Sequence, residues 1–210
     1  MAPFIAMPLA IIAAYLIGSI PASFILAKAV KGVDIRDHGS GNVGATNVLR
    51  VAGKVPAVIA LILDILKGVI SVTVIAGYSY QFLPDVEYDF YRPLLGFVTI
   101  CGHVWPVFLN FKGGKGVATT LGVVAVIAPL PFLLSGLVWL AVFVLTSYVS
   151  LASIVLDIFL PVFAVLLNES IYTVLFFILI AALSIYKHSG NIKRLVRGQE
   201  SKTLLSRSKK

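Results

Sequence analysis

Seven apolar runs, separated by short polar segments, constrain the fold of this chain more than any other feature. They cover residues 3–29, 55–80, 93–109, 117–128, 131–147, 151–167 and 171–186. A helix needs about 20 apolar residues to cross the hydrocarbon core of a bilayer, and most of the runs approach or exceed that length. None of them alternates apolar and polar residues, which disfavours a membrane β-barrel. The sequence therefore predicts an all-α integral membrane protein, a bundle of seven transmembrane helices that forms a single domain over residues 1–210.

Two points inside this pattern need separate treatment. The sequence Gly18-Ser-Ile-Pro21 predicts a kink in the first span, because proline interrupts the helical hydrogen bonds. The run at 117–128 is short, so it crosses the membrane only if the loop beside it is recessed. If 117–147 were instead one long kinked helix, the C-terminal tail would face the opposite side.

The distribution of basic residues predicts the orientation. With the N-terminus outside, the loops at 31–54, 112–116 and 148–150 and the tail from Lys187 all face the cytoplasm. These segments hold most of the 17 lysines and arginines, as the positive-inside rule requires. The net charge of +8 is therefore interpreted as a cytoplasmic membrane face that contacts lipids, and no nucleic-acid partner is predicted. The C-terminus is expected in the cytoplasm of a bacterial inner membrane protein.

A glycine–lysine segment, residues 112–116, separates the third run from the fourth. Its residues are Lys112, Gly113, Gly114, Lys115 and Gly116. Glycines let successive backbone N–H groups point at one anion, and the helix predicted to start at Val117 adds its positive end. The segment is interpreted as a phosphate-binding turn, although a simple connecting turn with lysines at the membrane surface would have the same composition.

The first polar loop is a second candidate anion site. It is rich in small residues and hydrogen-bond donors, namely Gly39, Ser40, Gly41, Asn42, Gly44, Ala45, Thr46 and Asn47, and Arg50 follows. Hydroxyl, amide and backbone donors can converge on anionic oxygens, and arginine binds phosphate bidentately. A flexible turn remains the alternative, because glycine and asparagine are common in loops.

Two later groups are expected at the same membrane face. Ser150 is predicted to cap a helix over 151–167, with Ser153 in its first turn. His188 and Asn191 are three residues apart, so they share a face if the last helix continues through them. His188 could bind a phosphate or orient a hydroxyl, or it could be an interfacial residue without a specific task.

Polar residues inside the apolar runs indicate buried contacts, because ionisable groups are costly in hydrocarbon. Asp64 and Lys67 are predicted to form an intrahelical pair, and His103 is interpreted as a buried, hydrogen-bonded histidine. Asp157 has no obvious local partner and is interpreted as meeting a basic residue of the phosphate site.

Several chemistries lack their sequence patterns here. There is no Walker-type phosphate loop, no His-Glu-x-x-His and no cysteine cluster, so no metal or cofactor is predicted. No histidine is followed five positions later by aspartate, so the His-x-x-x-x-Asp pattern of acyltransferases that use thioesters is absent.

The motifs together resemble the bacterial acyl-phosphate:glycerol-3-phosphate acyltransferases, the PlsY family, over nearly the whole chain. The resemblance rests on residues 18–21, 39–47, 102–119, 148–153 and on His188 with Asn191. It implies an enzyme that moves a fatty acyl group from acyl phosphate to the 1-hydroxyl of sn-glycerol 3-phosphate. The products would be lysophosphatidic acid and phosphate, in the first committed step of phospholipid synthesis. Seven helices, an active site on the cytoplasmic face and a monomeric state are expected.

The resemblance also implies residue roles. Arg50 and Lys115 would hold phosphates, while Ser40, Thr46 and Asn47 would line the substrate sites. His188 and Asn191 would position glycerol 3-phosphate, and Ser153 would complete the polar wall. An acyl phosphate carries a good leaving group, so direct transfer without an acyl-enzyme is expected, with proximity supplying much of the rate. The proton acceptor stays open between His188 and a substrate phosphate oxygen.

Two other classes of protein would share some of these features. A phosphate-ester transporter would share the basic loops, but it needs a polar path across the membrane, whereas the polar positions here gather at one face. A membrane-anchored binding protein without turnover would also fit the loops taken alone.

Overall fold

The computed structural model describes residues 3–202, which form helices and connecting turns and contain no β-strand. The all-α prediction is therefore confirmed for this part of the chain. The basic residues Arg207, Lys209 and Lys210, which contributed to the predicted orientation, lie outside the described residues. Two compact units are present, and the boundary falls between Ile127 and Ala128. The single domain over the whole chain stays a prediction.

The first unit contains seven α-helices and one π-helical segment. They are α1 (Pro3–Ser19), α2 (Ala22–Lys31), α3 (Ala45–Val51), α4 (Lys54–Ile70), the π-helical segment (Ser71–Ile75), α5 (Ala76–Tyr80), α6 (Tyr88–Val104) and α7 (Val117–Ile127). Short 3₁₀ turns occupy Ile35–Asp37 and Val107–Leu109. The first polar loop joins α2 to α4, and the glycine–lysine segment leads directly into α7, which begins at Val117 as predicted.

The kink predicted at Gly18–Pro21 is confirmed. α1 ends at Ser19 and α2 begins at Ala22, with Pro21 between them. The two helices together make one apolar stretch, Pro3–Lys31, of 29 residues. Because Pro21 has no N–H, the helical ladder is broken here. The carbonyl of Ile20 at this break accepts the N–H of Ala22 at 3.0 Å and a hydrogen bond from the Lys67 side chain.

α1 packs against α6 at glycines. A Cβ on Gly18 would clash with the Thr99 carbonyl, and one on Gly102 would clash with the Tyr15 carbonyl. Small residues allow helix backbones to approach this closely in a membrane protein. The contact fixes the C-terminal half of α6, which carries His103, against the end of α1.

Arg92 lies in α6 and binds two other elements of the unit. Its guanidinium donates to the carbonyl of Val72 in the π-helical segment at 3.3 Å and to that of Val126 near the end of α7 at 3.1 Å. Carbonyls that the helical pattern leaves exposed need such partners in an apolar environment. The arginine therefore ties α6 to the far end of α7.

The second unit contains four α-helices. They are α8 (Pro129–Thr146), α9 (Val149–Leu166), α10 (Ile171–Lys187) and α11 (Ser189–Val196). α10 is capped by Ser170, whose hydroxyl accepts the N–H of Thr173 at 3.3 Å, as side-chain caps commonly do. α10 and α11 meet at an angle of 61°, so the last helix does not continue straight through His188 and Asn191, and the condition stated for their shared face is not met.

The lengths of the helices bear on the number of spans. Five apolar helical stretches in residues 3–202 are long enough to cross a membrane, and the bent pair α10–α11 would make a sixth. α7 has only 11 residues, which extends about 16 Å at 1.5 Å per residue, roughly half of a bilayer core. The integral membrane class follows from these stretches, whereas seven spans and the orientation of the termini stay predictions.

Candidate active site

The first polar loop is built around the side chain of Asn47. The Asn47 carbonyl oxygen accepts the N–H of Ser40 at 2.9 Å, and the amide nitrogen lies 3.0–3.2 Å from the backbone carbonyls of Ile35, His38 and Asn42. The side chain is 1% exposed. Asn47 therefore shapes the loop from within, while Ser40, Thr46 and Arg50 are exposed around it.

An ion pair supports the start of this loop. The Asp34 carboxylate accepts three hydrogen bonds from the Arg36 side chain, the shortest at 2.6 Å, and one from the Arg36 backbone N–H. These hydrogen bonds lower the pKa of Asp34 to about 2. Arg36 also lies over the ring of Phe24, 5.5 Å from its centroid, so its charge is committed to the scaffold and not to a ligand.

The glycine–lysine segment is folded onto His103 at the end of α6. The N–H of Gly114 donates to the His103 carbonyl at 3.2 Å. A Cβ on Gly113 would clash with that same carbonyl, and a Cβ on Gly114 would clash with Nε2 of the His103 ring. Gly114 and Gly116 are buried while Lys112 is exposed. Glycine is required at both contacts because the neighbouring atoms leave no room for a side chain.

The two glycine-rich loops meet at one residue. A Cβ on Gly114 would also clash with the backbone carbonyl of Val43, and Val43 is the centre of the first polar loop. Both predicted phosphate-binding stretches therefore lie side by side within the first unit. The sequence predicted that both stretches lie at the same membrane face. The structure adds that they are in direct contact at Gly114 and Val43.

A buried charged cluster lies behind this contact. Asp64 and Lys67 form the predicted intrahelical pair, with Nζ 2.6 Å from Oδ1. His103 Nδ1 lies 3.6 Å from the same carboxylate oxygen, which confirms that His103 is buried among polar partners. Lys67 also donates to the Ile20 carbonyl at the α1–α2 break, and the Ser23 hydroxyl donates to Asp64 at 3.5 Å.

In the second unit, three polar side chains donate hydrogen bonds to Glu200, and two of them were predicted as site residues. Its carboxylate accepts hydrogen bonds from Ser150 Oγ at 2.8 Å, Asn191 Nδ2 at 2.6 Å and Arg194 Nε at 2.7 Å. Burial alone would raise the pKa of Glu200, but these hydrogen bonds outweigh it and lower the pKa below its ordinary value. Ser150 lies inside α9, whose cap is Tyr148, so the prediction of Ser150 as a helix cap is wrong.

A turn at Gly198 brings Glu200 back to the cluster. Gly198 is left-handed, with φ 64°, and the N–H of Gln199 donates to the Arg194 carbonyl at 2.8 Å. This is the usual way in which glycine ends a helix and reverses the chain. Glu200 was missed in the sequence, where the available signal was a single carboxylate after Gly198 in an otherwise basic tail.

His188 lies at the junction of α10 and α11 and is 2% exposed. Its Nδ1 is 2.9 Å from the Ser184 carbonyl, and because a carbonyl can only accept, Nδ1 carries the proton. In the neutral ring Nε2 is therefore the basic nitrogen. Asp157 is 2% exposed, and its Oδ1 has no hydrogen-bond partner within the described residues, so the predicted contact with a basic residue is not observed there.

Ser153, the other predicted residue of α9, is 4% exposed. Its hydroxyl oxygen lies 3.4 Å from Nε1 of Trp139, which donates to it. Ser153 is thus held by α8, while Ser150, one turn earlier, is held by Glu200. No group of three or more histidine, cysteine or acidic side chains that could hold a metal occurs in residues 3–202, and the absence of a metal cofactor stays an expectation.

Comparison with known proteins places this arrangement in a family. Residues 8–198 match the family model described as glycerol-3-phosphate acyltransferase. Proteins of that name from Desulforamulus reducens and Halalkalibacterium halodurans are each 45% identical, and the alignments cover 91% and 92% of this chain and 92% and 94% of those proteins.

Two solved structures show the same fold. The glycerol 3-phosphate form of PlsY (YgiH), an integral membrane glycerol 3-phosphate acyltransferase, is 43% identical with a TM-score of 0.85, and the match covers 94% of this chain and 95% of that one. Its lysophosphatidic acid form is also 43% identical, has a TM-score of 0.82 and matches 93% of this chain and 94% of that one. The chain therefore belongs to the glycerol-3-phosphate acyltransferase family, as its sequence motifs indicated.

Proposed function

We propose that this protein transfers a fatty acyl group from acyl phosphate to the 1-hydroxyl of sn-glycerol 3-phosphate. The observation that carries the proposal is the contact of the two glycine-rich loops at Gly114 and Val43. A reaction between two phosphate-bearing substrates needs two anion-binding sites next to each other. Two solved relatives are described as a glycerol 3-phosphate form and a lysophosphatidic acid form. They support glycerol 3-phosphate as the acyl acceptor and lysophosphatidic acid as the product.

The donor is proposed from chemistry. In the transfer, the hydroxyl oxygen of glycerol 3-phosphate forms an ester bond to the acyl carbon. The bond from that carbon to the phosphate oxygen breaks, and inorganic phosphate leaves with the electron pair. Because this leaving group is already good, a nucleophilic side chain is not required, and correct placement of the two substrates supplies much of the rate.

In the first unit we assign phosphate binding to Lys115, Arg50 and the backbone N–H groups of the glycine–lysine segment. The positive end of α7 adds to them, and such fixed donors stabilise charge as phosphate departs. The exposed Ser40, Thr46 and Lys112 are proposed to contact the substrates as well. The remaining predicted loop residues, Gly39, Gly41, Asn42, Gly44 and Ala45, shape the backbone together with Asn47, which acts through the loop.

In the second unit the proposed proton acceptor is His188, with Nε2 as the basic nitrogen. The hydroxyl proton of the acceptor goes to this nitrogen, or to a phosphate oxygen of a substrate, and the test below separates the two. Asn191, Ser150 and Ser153 are proposed to bind substrate oxygens, with Glu200 holding Ser150 and Asn191 in place. Membrane lipids and both substrates are the proposed partners, and a monomer in the bacterial inner membrane with a cytoplasmic active site is expected.

The experiment is release of phosphate by the detergent-solubilised protein. Phosphate should appear only when acyl phosphate and glycerol 3-phosphate are both present, and lysophosphatidic acid should form in equal amount. Replacing acyl phosphate by acyl-CoA tests the donor. Product formation from acyl-CoA alone would overturn the proposed donor, and no product from either would overturn the enzyme assignment.

A further inference from the structure

We propose that His103, held by the buried pair Asp64 and Lys67, is a positioning residue that sets the glycine–lysine segment for phosphate binding. The proposal rests on the proposed function in one respect, namely that this segment binds a phosphate. It adds a residue that does not reach the substrate and acts through the backbone of Gly113 and Gly114.

His103 contacts the segment with both its main chain and its ring. The carbonyl of His103 accepts the N–H of Gly114 at 3.2 Å, and Nε2 of the ring is close enough to Gly114 to clash with an added Cβ. Gly114 itself is buried. The segment therefore lies on a surface that His103 provides, and a shift of the ring moves the backbone that is proposed to bind phosphate.

The other side of the ring is fixed by charge. Nδ1 lies 3.6 Å from Oδ1 of Asp64, which is 1% exposed. The same oxygen accepts from Lys67 at 2.6 Å, and Lys67 also donates to the Ile20 carbonyl. Buried charges of this kind hold one geometry, because movement would leave one of them without a partner in an apolar environment.

The cluster therefore links three elements to the segment. The carbonyl of Ile20 comes from the break between α1 and α2, Asp64 and Lys67 come from α4, and His103 comes from α6. A phosphate site that uses backbone N–H groups works best when those groups do not need to reorganise on binding. Rigid support from α4, α6 and the break between α1 and α2 supplies this property to a segment that is otherwise rich in glycine.

A small cavity lies beside the cluster. It is lined by Ser19, Ser23, Asp64, His103 and Pro106 among others, and its volume is about 10 Å³. Such a space holds about one water molecule and is too small for a phosphate ester. His103 is accordingly treated as a positioning residue, because its carbonyl accepts from Gly114 and its Nδ1 faces Asp64.

The test compares His103→Ala and His103→Gln with Tyr91→Phe. Glutamine has about the reach of the imidazole Nε2 and is the conservative variant. Tyr91 lies on the same helix, 12 residues earlier, and its hydroxyl is hydrogen-bonded to Ser79 at 2.7 Å in a buried site. Tyr91→Phe therefore removes a buried polar contact from α6 about 18 Å from His103 along the helix axis, and it controls for loss of stability alone.

Binding is measured by titration calorimetry without turnover, with inorganic phosphate, with glycerol 3-phosphate and with a non-hydrolysable acyl phosphonate. We expect His103→Ala to weaken binding of inorganic phosphate by about 10- to 100-fold, the range seen when a residue that supports metal-binding groups is removed. His103→Gln should recover part of the loss. If the variant also loses affinity for glycerol 3-phosphate but not for the phosphonate, the segment holds the phosphate of the acceptor. If it loses affinity for the phosphonate but not for glycerol 3-phosphate, the segment holds the phosphate of the donor.

Unchanged phosphate binding in His103→Ala would overturn the positioning role, as would an equal loss in Tyr91→Phe. Failure of the proposed function has a different signature, because it would leave phosphate binding intact in the wild type while acyl transfer is absent. If the wild type binds none of the three ligands, the segment is not a phosphate site and this inference falls with it.

Discussion

Replacing Gly114 by alanine is the most direct test of the contact between the two loops. An added Cβ would clash with the Val43 carbonyl and with Nε2 of His103. Neither atom can move away easily, since one belongs to the backbone and the other to a ring held by Asp64. Gly114 is not among the residues with positive φ, so the effect of alanine there comes from the contact and not from backbone strain.

The size of the effect follows from the overlap. Ordinary contact between heavy atoms is about 3.5–4.0 Å, so the segment has to move by about 1 Å to accommodate the methyl group. Overpacking of this kind costs about 1–3 kcal/mol. If the cost falls on the reacting geometry, kcat/KM decreases by about 5- to 150-fold, and a 1 Å misplacement can by itself cost about 100-fold.

The assay is phosphate release with each substrate varied separately, together with Tm in detergent. The matched control is Gly77→Ala in α5 of the same unit, where nothing lies within 4 Å of the added Cβ. Alanine favours a helix over glycine by about 0.5–1 kcal/mol, so this control should be active and equally or more stable. If Gly114→Ala has the same kcat/KM and Tm as the control, the two loops do not meet in the way described.

Other predictions address the remaining residues. His188→Ala should lower kcat by about 10²–10⁴ with little change in KM if His188 is the base, and a change in KM alone would reject that role. Lys115→Ala should raise KM for one substrate more than Lys112→Ala, its exposed neighbour, does, and equal effects would argue against Lys115 as the phosphate ligand. Asn47→Ala should lower Tm by breaking the hydrogen bonds inside the loop, and an unchanged Tm would contradict its structural role. Glu200→Gln should lower Tm at neutral pH. The pKa of Glu200 is lower in the folded state than its ordinary value of 4.5, so the ionised carboxylate stabilises the wild type above pH 4.5. This extra stability is lost as the pH falls through the folded pKa. A Tm difference that grows on acidification would refute this assignment.

The site could be predicted in part. The glycine–lysine segment and the first loop were selected as candidates by composition, because glycine beside lysine, serine and asparagine can direct several hydrogen-bond donors at one anion. Asn47 was identified with them, but its four contacts inside the loop depend on how residues 35–42 fold back over α3. Glu200 was not identified, because a carboxylate in a basic tail acquires its role only when Gly198 reverses the chain.

The sequence by itself determined the membrane class, the helical architecture and the two glycine-rich loops, since these follow from apolar run length and local backbone chemistry. Only the tertiary structure decided that Gly114 contacts both Val43 and His103, that His103 rests on Asp64 and Lys67, and that Ser150 binds Glu200 and caps no helix. Such contacts join residues from 11 to 71 positions apart, and local periodicity carries no information about which of many possible partners a side chain meets after the helices pack.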